Sequence, residues 1–256
     1  MRTMKTEEIE LRNRDGKGMP ATLQIPDGEA QGVVVLLHGI GGWKDQPLLV
    51  ALANAFVQDD YAAVRFDESN GVNNPDGDFF HETTTQYTRD VEDVVTYLKG
   101  QDWYRQPLIL VGHSMGGLVA AWYVAEHPDN VSRLILTAPA VSWKSMWWAW
   151  LPLALLDLVR GHMKMLGVDG KKFRLSPLWW KDFFKFDGYR YAPKILVPTL
   201  IISAEKDHTV AKPFEHRGYT KRFANAEHST ISWADHDFTG HEDEVIATIK
   251  QWRTSS

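Results

Sequence analysis

The chain has 256 residues, 44% of them apolar, a net charge of −5 and no cysteine. That is enough chain for one large domain with a sizeable core, and too apolar for a disordered segment. The lack of cysteine excludes disulfides and thiolate metal sites, and the lack of a basic block argues against a nucleic-acid partner.

In chain order, the first residues, MRTMKTEEIELRNRDG, hold no apolar core of the signal-peptide kind, so a cytoplasmic protein is expected. Glu7 to Asn13 and Met19 to Ile25 are extended runs joined by Arg14 to Gly18, whose Asp-Gly pair predicts an antiparallel hairpin. Gly32 to Leu37 is continuously apolar, the pattern of a strand covered on both faces. Leu48 to Val57 has helical spacing, and Ala62 to Phe66 reads as a strand. Thr83 to Leu98 reads as a helix with Tyr87, Val91, Val94, Val95 and Leu98 on one face. A strand at Pro107–Val111, a helix at Leu118–Glu126 and a strand at Arg133–Thr137 follow. Beyond them a strand is predicted within Ile195–Ile202, a short one near Ser229–Trp233, and a final helix from His241 to Trp252. Strands alternating with helices imply the α/β class. The sheet is expected to be mostly parallel, made mixed by the hairpin, with helices on both faces.

Val141 to Pro193 breaks that alternation. These 53 residues hold six of the eleven tryptophans (143, 147, 148, 150, 179 and 180) and nine Lys or Arg. The segment is too apolar for a solvated loop, and long insertions in compact folds commonly serve as lids or binding elements. An inserted cap at 141–193 is therefore expected on a core built from 1–140 and 194–256. Most of its tryptophans are expected to form the cap's own small core; lining an acyl or aromatic pocket and facing lipid are the other readings. The longest uncharged apolar stretch, Ser145 to Leu156, is 12 residues long and contains Pro152. A membrane span needs roughly 18–20 residues, so the stretch is read as a helix of the cap or a partly buried surface.

The chemistry concentrates at Gly112-His-Ser-Met-Gly116, a G-x-S-x-G sequence after a predicted strand and before a predicted helix. The small residues could simply make a tight turn. They could equally present Ser114 at the apex, flanked by glycines where larger residues would clash. A serine hydroxyl is a poor nucleophile near neutral pH and needs a base, held in turn by an acid. For this arrangement both are sought downstream. Asp207 lies just past the Leu196–Ile202 run, at the edge where such sheets bind ligands, with Glu205 and His208 as competitors. His236 lies in the loop Ala234–Phe238 before the last helix; His228 and His241 are its rivals, while His113 is expected to point elsewhere and His127 to end a helix. His38-Gly-Ile-Gly-Gly42 follows a strand, and the N–H groups of Ile40 and Met115 are candidates for an oxyanion hole. The alternative, a phosphate-binding glycine turn, lacks the rest of its motif.

Together, LLHGIGG, GHSMGG, SAEKDHTV and ADHDFTGH resemble the α/β-hydrolase superfamily over nearly the whole chain outside the insertion. The likeness is strongest to small carboxylesterases of the cinnamoyl/feruloyl esterase and serine aminopeptidase-like (monoacylglycerol lipase-like) group. The resemblance implies a triad of Ser114, Asp207 and His236, and an α/β-hydrolase fold with an inserted cap. It implies a serine carboxylesterase for small to medium esters, cinnamoyl-type ones among them, working through an acyl-serine. Lipase or monoacylglycerol lipase and serine peptidase share that triad. A non-catalytic hydrolase-fold module that binds a small molecule is the reading from another class. No cofactor and no metal are implied, and the partner is a small-molecule ester; a homodimer could form through the hairpin edge or the cap. Two departures stand out. Arg65 to Gly77 begins like the family's R-x-D pattern but alters and lengthens its G-x-G-x-S part, and Ser203 stands where glycine is common.

Overall fold

The computed structural model describes residues 3–142, 155–156, 158–166, 172–210 and 213–255. The chain first builds the predicted hairpin, β1 (Met4–Arg12) and β2 (Gly18–Pro26). Its turn is held by Asn13, whose side-chain oxygen accepts from the N–H groups of Asp15 and Lys17, and Gly16 takes a φ of +79° that favours glycine.

The next elements are β3 (Gly32–Leu37), α1 (Pro47–Gln58), β4 (Tyr61–Phe66), α2 (Thr84–Lys99), β5 (Leu108–His113), α3 (Met115–Glu126) and β6 (Arg133–Thr137). β3, β4 and β5 are buried at every position, which is why their sequences show no polar alternation. Alternate side chains still go to opposite faces. Val33, Val35 and Leu37 pack in a core with α2 and α3, while Val34 and Leu36 pack in a second core with α1 and the last helix. α2 starts at Thr83, whose hydroxyl accepts from the Gln86 N–H, as helix-capping residues do.

After β6 the chain makes a long excursion: an antiparallel pair β7 (Met163–Leu166) and β8 (Lys172–Leu175), then short helices α4 (Leu178–Phe183) and α5 (Gly188–Tyr191). It returns through β9 (Thr199–Ala204), α6 (Pro213–Thr220), β10 (Ala226–Ile231) and α7 (Glu242–Ser255). The main sheet has eight strands in the order β1-β2-β4-β3-β5-β6-β9-β10, antiparallel at β1–β2 and β2–β4 and parallel elsewhere. The mixed sheet with helices on both faces therefore stands as expected.

Several boundaries differ from the expectation. β10 begins three residues before Ser229 and ends at Ile231, because Trp233 takes a φ of +61° in the following turn. α3 begins at Met115 rather than Leu118; the glycines read as a turn are already helical. β9 starts at Thr199, inside the predicted window, and runs two residues beyond it to Ala204. The predicted element over Ser145–Leu156 lies almost wholly outside the described residues, as do Trp143, Trp147, Trp148 and Trp150. Among the described residues no helix is long and apolar enough to cross a membrane.

What is described of the excursion is fastened to the core at several points. Ser142 pairs with Asp187, and the Gly188 N–H donates to the Val141 carbonyl, pinning its departure beside its return. The Ser176 N–H donates to the Phe80 carbonyl, and Phe173 packs edge-on to Phe79 at 5.5 Å. Asp182 accepts from both the N–H and the hydroxyl of Thr85, so a carboxylate from α4 satisfies the first turn of α2. Trp179 and Trp180 are buried, with Trp179 stacked on Phe183 at 4.7 Å. For these two tryptophans the core-forming role is the observed one.

Candidate active site

β5 and α3 are joined by a single residue. Ser114 sits between them at φ +54°, ψ −121°, a conformation L-residues rarely adopt. Three contacts hold it there: its N–H donates to the Thr137 carbonyl, and its carbonyl accepts from the N–H groups of Gly117 and Ala140. The glycines explain how so tight a junction fits. A Cβ on Gly112 would lie 2.4 Å from the Gly116 carbonyl oxygen, and one on Gly116 would lie 2.5 Å from the carbonyl oxygens of Leu37 and His38. Backbone cannot yield as a flexible side chain can. Gly112→Ala is therefore expected to cost roughly 1–3 kcal/mol or more, as overpacking does, read as a lower denaturant midpoint.

Two later loops meet the serine. The Ser114 hydroxyl donates to His236 Nε2 at 2.9 Å, and His236 Nδ1 donates to Asp207 Oδ2 at 2.7 Å. The other Asp207 oxygen accepts from the N–H groups of Thr209 and Val210. Burial of Asp207 works against its charge, but the histidine and these N–H groups outweigh it and hold the carboxyl below its usual range. The His236 loop is anchored by fully buried Phe238, at φ +57°, whose N–H donates to the Asp235 carbonyl.

The competing residues have other tasks. The exposed Glu205 accepts from the Trp233 N–H and ties the acid loop to the histidine loop. His208 is exposed. His228 Nε2 lies 2.7 Å from the Ser203 hydroxyl, and His216 Nδ1 lies 2.7 Å from it on the other side. His241 faces Glu244 within its own helical turn, and His127 faces Glu92. His113 does point away from Ser114, with Nδ1 toward the Thr137 carbonyl, yet its ring lies only 4.9 Å from that of His236.

The loop after β3 runs beside the serine: a Cβ on Gly39 would lie 2.9 Å from the Ser114 Cβ, so Ile40 follows directly on that approach. Met115 is the first residue of α3, where helix N–H groups lack partners within the helix. Ile40 thus lies in the loop after β3 and Met115 at the start of α3, on either side of Ser114.

Beneath this loop lies a buried charge cluster that the sequence did not suggest. His38 is fully buried, its Nε2 2.6 Å from Glu68 and 3.6 Å from Asp67. Burial disfavours its charge, but the two carboxylates outweigh that and raise its pKa to about 9. Burial also raises Asp67, to about 6, and lifts Glu82 well above its ordinary value, where the charges of Glu68 and Asp90 add to the effect. The altered segment after Arg65 is part of this cluster's wall. Asn74 donates to the carbonyls of Gly18, Glu68 and Ser69, and Asp90 accepts from Asn13, Ser69 and Gln86.

The family model described as serine aminopeptidase, S33, matches residues 28–177, more than half of the chain. The chain belongs to this hydrolase family. Among curated relatives it is 41% identical over 61 residues to a pyrethroid hydrolase of Sphingobium wenxiniae, covering 22% of this chain and 20% of that protein. It is 31% identical over 125 residues to the sn-1-specific diacylglycerol lipase ABHD11 of Mus musculus, covering 48% of this chain and 38% of that one. These matches thus span a fifth to about two fifths of the relatives' length. Est1E from Butyrivibrio proteoclasticus, solved with ferulic acid bound, superposes with a TM-score of 0.81 at 22% identity over 96% of this chain and 98% of its own. That likeness establishes the α/β-hydrolase fold of this S33-family chain.

Proposed function

We propose that this hydrolase is a serine carboxylesterase that cleaves small to medium carboxylic esters, aromatic acyl groups included. The observation that carries the reading is the unbroken series Ser114–His236–Asp207 of 2.9 and 2.7 Å hydrogen bonds, beginning at a strained strand-to-helix junction. Ser114 Oγ attacks the ester carbonyl while His236 Nε2 takes its proton. Asp207 holds the Nδ1 proton and so fixes which nitrogen is free to act. The negative oxygen of the tetrahedral intermediate is met by the N–H groups of Ile40 and Met115. The imidazolium then protonates the departing alcohol. Water attacks the acyl-serine with His236 again as base, returning the free serine and a carboxylic acid.

The aromatic part of the proposal is supported by the fold shared with a protein solved with ferulic acid. A lipase is the second reading. It is favoured by exposed Leu155, Leu156, Leu158 and Val159 in the excursion and by the diacylglycerol lipase among the relatives. Hydrolysis of p-nitrophenyl acetate, butyrate, octanoate and palmitate, with methyl ferulate alongside, separates them. The proposal expects a maximum on short acyl chains or on ferulate. A maximum on palmitate that rises sharply above the solubility limit would assign a lipase, and no turnover on any ester would refute both.

A further inference from the structure

The carbonyl of Gly39 and the N–H of Ile40 are two edges of one peptide plane. That peptide is trans, so the two groups point in opposite directions, and whatever fixes the carbonyl aims the N–H. The Gly39 carbonyl takes two donors. One is the Gly42 N–H at 3.0 Å, a bond within the loop itself. The other is Nδ1 of the fully buried His38, at 2.8 Å. The preceding plane is held in the same manner: the hydroxyl of Tyr87, also fully buried, donates to the His38 carbonyl at 3.1 Å.

A carbonyl oxygen only accepts, so His38 Nδ1 carries a proton. Nε2 faces a carboxylate oxygen of Glu68 at 2.6 Å, with Asp67 at 3.6 Å, so it carries one as well, and the ring is an imidazolium. The ring is thus clamped between Glu68, in the segment after β4, and the peptide plane beside the serine. In a dry interior a charged donor grips a carbonyl more firmly than the neutral N–H of a turn does. It also draws electron density through the amide and makes the Ile40 N–H a better donor. The plane stands against the nucleophile: a Cβ on Gly39 would lie 2.9 Å from the Ser114 Cβ and 3.3 Å from its Oγ. Any rotation of this plane therefore moves the Ile40 N–H relative to the Ser114 hydroxyl.

We propose that His38 and Tyr87 are positioning residues for the reaction: they lock two successive peptide planes, His38–Gly39 and Gly39–Ile40, so that the Ile40 N–H faces the oxygen of the tetrahedral intermediate before substrate arrives. The inference rests on the esterase reading above. Both side chains are enclosed in the core and act only through the backbone they hold. Glu68 thereby gains a task besides stability: the carboxylate holds the ring, the ring holds the plane, and the plane presents the donor. No proton moves along this series during the reaction; its effect is that the donor needs no reorganisation when charge develops.

Two amide substitutions separate the tasks of the ring. Asparagine places its NH₂ where Nδ1 stands, and glutamine reaches to the Nε2 position. His38→Asn thus keeps the donor to Gly39, His38→Gln keeps the donor to Glu68, and both lose the charge. A ring that only supported the fold would be replaced by glutamine at least as well as by asparagine. The proposal expects the reverse in turnover of p-nitrophenyl butyrate. For His38→Gln, kcat should fall at least about tenfold with KM within about twofold of wild type, part of the roughly 10²–10³-fold lost with a whole oxyanion donor. For His38→Asn, kcat should be at least about threefold higher than for His38→Gln. Equal kcat in the two, or a loss carried by KM, overturns the proposal. Tyr87→Phe keeps every charge and serves if neither amide variant folds: kcat should fall about threefold or more at unchanged KM, and a wild-type kcat overturns the proposal. Gly39-Ile40 is the only Gly-Ile step in the chain, so carbonyl-¹³C glycine with ¹⁵N isoleucine gives one peptide signal by NMR. Both amide variants lack the ring, so the Gly39 carbonyl carbon of His38→Gln should lie upfield of that of His38→Asn; coincident signals overturn the clamp. If the signals separate but the wild type cleaves no ester, the clamp on the plane stands and the esterase reading fails.

Discussion

Ser114→Ala is expected to lower ester turnover on the order of 10⁴-fold or more, while leaving the unfolding midpoint near that of wild type. Alanine keeps the Ser114 Cβ, which lies so close to Gly39 that a side chain there would clash, and loses only the hydroxyl. The backbone contacts that fix the junction belong to main-chain atoms and survive the change. His236→Ala should cost about as much, and combining the two should add little, because the groups act as a unit. Covalent labelling with a fluorophosphonate checks the same point without a substrate: wild type labels at Ser114 and the alanine variant does not. An alanine variant that still turns over esters would remove Ser114 from the mechanism.

A comparably large effect on stability is expected at His38. Breaking a buried ion pair by removing one partner typically costs about 3–5 kcal/mol, so His38→Gln should lose that order of stability at pH 6. The wild type should also show a distinctive pH dependence. The folded pKa of about 9 lies above the ordinary 6.5, so the native state binds the proton more tightly than the unfolded chain. Stability from His38 is therefore complete below pH 6.5 and is lost as pH rises toward 9, by about 3 kcal/mol in total. The raised Glu82 and Asp67 act with the same sign, and the His38 charge itself holds Asp67 down, so the difference reports His38 together with its carboxylate partners. Denaturant unfolding from pH 6 to 9.5 measures it. Parallel pH profiles for wild type and His38→Gln would show that the His38–Glu68 pair contributes nothing to stability.

The legibility of the molecule in its sequence follows physical lines. Strands such as Gly32–Leu37 were readable because burial on both faces leaves a continuous apolar run, and the hairpin because an Asp-Gly turn admits few alternatives. Placement beside strand ends, where a parallel sheet gathers its loops, narrowed the candidates, and the likeness of SAEKDHTV and ADHDFTGH to the family singled out Asp207 and His236 from their rivals. α6 escaped: PFEHRGYT turns only His216 and Tyr219 inward and carries Gly218, so no apolar face marks it. β10 was misplaced because, as an edge strand, it buries only Ile231 fully. The pair β7–β8 was missed although Asp169-Gly170, the same turn signal as in the first hairpin, stands between its strands; at four residues each, the strands show too little alternation to mark it. The cluster of His38, Asp67, Glu68, Glu82 and Asp90 was invisible for a different reason. Charged residues in a sequence read as surface, and only the assembled core reveals that these are enclosed.

The excursion that leaves β6 and returns to β9 starts and ends between neighbouring strands of the sheet, and the Ser142–Asp187 pairing closes its neck. Ser114, Asp207 and His236 all lie outside that neck. Chain inside it can change in length or composition while the spacing of those three residues is governed by other parts of the molecule.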